Sequence, residues 1–163
     1  MKLRFLLTAL LLPAAAFGAD APRVFEPAQV QAVYRMLLDR DALLLESILD
    51  VIKQKDVQDG HVMITAGSVQ ECTYHYVTTT DAKPKDKFTT VKGPFEILGG
   101  GGIIANGEPH IHITLSRPQG AFGGHLEKGC KVLYLGEVTI VKYSGQSLMR
   151  KANENGVSIL QAK

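Results

Sequence analysis

Residues 93–116 read GPFEILGGGGIIANGEPHIHITLS, and this pattern decides the fold. Gly93 to Ala105 reads as a long strand with a glycine interruption at 99–102. Asn106-Gly107 is a hairpin signal, because both residue types tolerate the positive φ of tight turns. HIHITLS then alternates polar and apolar residues with the period of a strand. His110, His112, Thr114 and Ser116 share one face; Ile111, Ile113 and Leu115 share the other and should pack inward.

The same habit extends outward in both directions. HVMITAGSV (61–69), ECTYHYV (71–77), FTTV (88–91) and KVLYLGEVTIVKYS (131–144) are rich in β-formers. A polar, lysine-rich loop, TTTDAKPKDK (78–87), joins two of them. YRMLL (34–38) reads as a first strand. Asn155-Gly156 marks a turn before a last short strand, Val157 to Leu160. One stretch has helical spacing: Leu44, Leu45, Ile48, Leu49 and Ile52, with Asp41 placed to cap it and Lys53 and Lys55 near its end. One early helix followed by many strands predicts an α+β domain built on a central, largely antiparallel sheet.

The chain has 163 residues, 45% hydrophobic and 21% charged, which suits one globular domain. It opens MKLRFLLTALLLPAAAFGADAPR. Lys2 and Arg4 precede an apolar run from Phe5 to Leu12, and small residues Ala16 and Gly18 precede Ala19. That order is the pattern of a secretory signal peptide over residues 1–18, cleaved after Gly18. The run is too short to span a bilayer, so a secreted or periplasmic protein without a membrane anchor is expected. Residues 19–33 then form a lead-in, and 34–163 the folded domain.

Removing the leader changes the charge argument. The full chain carries 18 Lys+Arg against 16 Asp+Glu, and the leader holds two of the basic residues, Lys2 and Arg4. The mature chain is formally neutral and lacks the basic excess that drives phosphate-backbone binding, so nucleic acid is not expected as a partner. Two cysteines, Cys72 and Cys130, are either a disulfide or two small buried apolar residues; spacing alone does not choose.

Three of the five histidines fall within 107–129. His110 and His112 lean off one side of a strand. His125 follows Pro118, Gly120 and the pair Gly123-Gly124, which permit a sharp return and close backbone approach. Three neutral imidazoles plus water make an open tetrahedral zinc site, suited to binding a ligand or activating water. Copper, nickel and iron also accept imidazole. HxH by itself equally describes a polar strand face with two solvated histidines. His61 and His75 read as structural or surface residues. Glu96 and Glu108 are the candidate catalytic bases or extra ligands. The Gly99–Gly102 run lacks the Gly-Lys-Ser/Thr of a phosphate loop and reads as a bulge or close strand crossing. Arg117 reads as solvated or as an anion contact.

GPFEILGGGGIIANGEPHIHITLS, GAFGGHLEKGCKV and GEVTIV, in that order, resemble the PPC (plants and prokaryotes conserved) domain family. The likeness runs from about Tyr34 to the C-terminus. It implies a central antiparallel sheet with flanking helices, assembled as a homotrimer. It also implies a metal site at His110, His112 and His125, with Glu96 at a buried acidic position. Bacterial members of the family are described as DNA-binding. This chain has no Arg-Gly-Arg-Pro hook of the plant members. The expected function is therefore an exported metal-binding module for a small ligand or a partner. A DNA-binding protein and a metal-dependent hydrolase or lyase are the alternatives.

Overall fold

The computed structural model describes residues 21–163. The expected signal peptide lies outside the described residues. The elements, in chain order, are β1 (Gln29–Asp39), α1 (Leu44–Gln54), β2 (Asp59–Val77), β3 (Asp86–Ala105), β4 (Glu108–Arg117), β5 (Gly120–Leu126), β6 (Lys131–Ser144), β7 (Leu148–Ala152) and β8 (Ser158–Ala162). Six strands form one sheet in the order β1-β6-β2-β3-β4-β5, and a further β2–β5 pairing closes four of them on themselves. Every pairing is antiparallel. A separate hairpin, β7–β8, follows.

This corrects the expectation of an α+β domain with flanking helices. Strands dominate, and α1 is the only helix among the described residues. Only one stretch of the chain carried a helical stripe, so a second helix had no apolar face with which to pack. α1 buries Leu44, Ile48 and Ile52 against one face of the sheet. Beneath it lie Val62, Ile64, Ile104, Ile111, Ile113, Leu115, Val138 and Ile140. These are the inward residues of the alternating strands, including the isoleucines of HIHITLS.

Two local readings also change. Asp41 does not cap α1. It sits at φ 69°, and its carboxylate takes Gln70 and Lys131 instead. The Leu44 N–H donates to the Cys130 carbonyl, so a neighbouring loop does the work of the cap. The segments 61–69 and 71–77 are one strand, bent by register shifts around Ala66 and between Val69 and Glu71. Such bulges increase twist and let β2 reach β6, β3 and β5 at different points along its length. Cys72 and Cys130 are both fully buried and form a disulfide. No helix among the described residues is long and apolar enough to cross a membrane.

Candidate metal centre

Register places the histidines together. His112 lies opposite His125 across β4–β5, and His125 lies opposite His75 across β5–β2. Directly opposed residues on neighbouring strands point to the same side. His110, two residues before His112, joins them. All four therefore stand on the sheet face that points away from the inward isoleucines. They line a cleft of about 690 Å³, with Glu108, Pro109, Asp86 and Arg150 on its walls.

Glycines bring the strands close enough. A Cβ at Gly124 would strike the His75 carbonyl, and one at Gly102 would strike the His110 carbonyl. Gly123-Gly124 is thus not a hinge: the pair sits inside β5 because two backbones crowd there. The glycine run of β3 is a crossing of the same kind, with a bulge between Ile97 and Gly99.

The Nε2 atoms of His110 and His112 are 3.3 Å apart. Two nitrogens on a tetrahedral zinc at a bond length of about 2.05 Å would be separated by about 3.3 Å. The His125 ring lies 4.8 Å from that of His110 and 5.7 Å from that of His112, centroid to centroid. Burial, then the positive charge of neighbouring His125 and Arg150, pushes the pKa of His110 down to about 4. Burial followed by His75 lowers that of His125, against an opposing pull from Glu127. Both rings are held towards the neutral form, whose lone pair can bind a metal.

A second grouping exists. Ligand atoms of His75, His125 and Glu127 lie within 4.8 Å of one another. The Glu127 Oε1 is 2.7 Å from His75 Nδ1 and 3.3 Å from His125 Nδ1. The His75 contact is a hydrogen bond; His125 Nδ1, although buried, has no hydrogen-bond partner. A carboxylate on an imidazole Nδ1 is the usual arrangement for orienting a ring whose other nitrogen binds metal. Glu127 thus holds the His75 ring, and among the described residues His75, His125 and Glu127 are the group whose ligand atoms lie this close; His110 and His112 stand beside it and share the cleft with His125.

The remaining sequence candidates divide. Glu108 borders the cleft and is exposed. Glu96 is exposed, not buried, and pairs with Ser116 towards the far end of β4. It does not line the cleft. Arg117 lies over the Phe95 ring, 5.8 Å from its centroid. His61 is apart from the cluster, 2.6 Å from the Tyr143 hydroxyl. His75 and Glu127 were missed. Glu127 had a signal, since it is two residues after His125 and so shares its face. His75 had none, because the β2–β5 pairing spans fifty residues of sequence.

Solved structures share this fold. A metal-containing protein from Archaeoglobus fulgidus is 24% identical, with a TM-score of 0.72 over 86% of this chain and 99% of that one. A plant- and prokaryote-conserved protein from Pyrococcus horikoshii is 21% identical, with a TM-score of 0.72 over 85% and 97%. A provisionally named DNA-binding protein from Bacteroides thetaiotaomicron is 22% identical, with a TM-score of 0.71 over 82% and 94%. Comparison with curated proteins finds no match. The family model for the Plants and Prokaryotes Conserved domain matches residues 26–144, from just before β1 to the end of β6. The chain belongs to the Plants and Prokaryotes Conserved domain family.

Proposed function

We propose that this protein is an exported metal-binding module. In this reading His110, His112 and His125 hold a divalent transition metal, zinc first, and the open position takes a small ligand. The observation that carries it is the 3.3 Å spacing of the His110 and His112 Nε2 atoms beside a third imidazole in one cleft. The metal would supply Lewis acidity at the cleft floor. The disulfide supports export, because such bonds persist in oxidising compartments. Elemental analysis of tag-free mature protein tests the site. About one metal per chain is expected, lost in His110→Ala and in His125→Ala; equal metal in both variants refutes it.

Self-association as a trimer belongs to the same proposal. Val33, Leu37, Met63 and Ile103 are exposed apolar residues on the histidine-bearing face of the sheet, interspersed with Arg35, Glu137 and Thr139, and a subunit contact there would cover them. Sedimentation equilibrium showing only monomer at micromolar concentration would remove this part.

The Bacteroides relative favours a second reading, DNA binding. The formal neutrality of the mature chain weighs against it. A duplex mobility shift at low salt that disappears as salt rises would support it; no shift at low salt excludes it.

A further inference from the structure

The hairpin β7–β8 lies beyond the residues that match the family model. It nevertheless forms part of the histidine cleft, contributing Arg150, Gly156, Val157 and Ser158 to its walls. Its placement is anchored. The Leu148 N–H donates to Asp59 Oδ2 at 3.1 Å, and Lys163 Nζ donates to Asn106 Oδ1 at 2.9 Å. Arg150 donates from Nη1 to the Glu108 carbonyl at 3.0 Å and from Nη2 to the Ile103 carbonyl at 2.9 Å. Ile103 is the register partner of His110, and Glu108 is two residues before it. The guanidinium is thereby pinned beside the first of the three histidines.

This cation has no close counter-charge, and the Glu108 carboxylate acts on it only from the rim. Arg150 is half-buried and makes no ion pair among the described residues. Asp86 and Glu108 also border the cleft, but both are exposed at its rim. Each terminal nitrogen of Arg150 has a second N–H that the two backbone bonds do not use. A planar guanidinium with N–H groups to spare is matched to a carboxylate. A half-buried cation beside a Lewis-acid position favours an anion over a neutral ligand.

We propose that the C-terminal hairpin is a specificity cap, and that Arg150 makes the cleft selective for a small organic anion of the carboxylate class bound at the metal. The inference rests on the metal reading above. It needs no bond to be made or broken, only a ligand held between the metal and the guanidinium.

Cobalt(II)-loaded mature protein, titrated separately with acetate and with imidazole and followed by its visible absorption, tests the cap. In Arg150→Leu, acetate should bind about ten-fold more weakly or worse, the loss typical of a hydrogen bond to a charged group. Imidazole, a neutral metal ligand, should bind as in the unaltered protein, and cobalt content should not change. Equal acetate affinity in Arg150→Leu and the unaltered protein overturns the proposal while leaving the metal reading intact. Failure of the unaltered protein to take up cobalt overturns the metal reading, and the cap with it. If Arg150→Leu does not fold, Arg150→Gln, which keeps a donor for a backbone carbonyl, is read by the same criteria.

Discussion

At the scale of single residues, burial holds His110 and His125 towards the uncharged form. His110 has its pKa lowered from 6.5 to about 4. The folded chain therefore refuses a proton that the unfolded chain accepts below about pH 6.5. Linkage fixes the sign: metal-free protein should lose stability as pH falls from about 6.5 towards about 4, and the loss should level off below that. The ring is partly exposed, so solvent screening makes the effect smaller than full burial would. Thermal melts across this window, with chelator present, should show the slope in the unaltered protein and a flatter one in His110→Gln. Identical slopes would remove His110 as the cause. Glu127 makes a separate prediction. Its carboxylate is 2.7 Å from His75 Nδ1 and 3.3 Å from His125 Nδ1. Loss of an orienting carboxylate typically costs about 10–100-fold in metal affinity. Glu127→Gln should therefore weaken zinc binding by that order in a competition titration with a chromophoric chelator, with the fold retained. An unchanged affinity would mean that the carboxylate merely stabilises His75.

At the scale of elements, strand geometry assembles the cleft and glycine sets its tightness. Gly124 faces the His75 carbonyl at a distance that no Cβ tolerates. Gly124→Ala must push β5 from β2. It should cost about 1–3 kcal/mol in denaturant melts and weaken metal binding along with stability. A neutral substitution would show that the two strands are not held together as described. What the sequence disclosed follows the same lines. The period of two in HIHITLS put His110 and His112 on one face without any knowledge of partners, and β4 spans that stretch. The spacing of Leu44, Ile48 and Ile52 likewise revealed α1. Asp41 misled because a capping side chain competes with other partners, and here Gln70 and Lys131 took it. His75 stayed hidden because strand pairing between distant segments is a property of topology, which local periodicity does not carry.

At the scale of the whole molecule, a six-stranded sheet with four strands closed on themselves and one helix on one face carries the histidines on its other face. Of the flanking helices that the family resemblance implied, α1 alone is present among the described residues; a hairpin, not a helix, borders the histidines. The disulfide Cys72–Cys130 ties β2 to the loop before β6 and encloses 58 residues of separation. In the chain-entropy account a loop of that size is worth about 4 kcal/mol. Cys72→Ala with Cys130→Ala should therefore lower the melting temperature substantially under oxidising conditions. An unchanged melt would show that the two cysteines act only as buried apolar residues. The central claim, that His110, His112 and His125 share one ion, is tested most directly by anomalous diffraction above the zinc edge on crystals of untagged protein grown with zinc. The account predicts one strong anomalous peak about 2.0–2.1 Å from a ring nitrogen of each of the three. A peak bound instead by His75, His125 and Glu127, or no peak in the cleft at all, would contradict it.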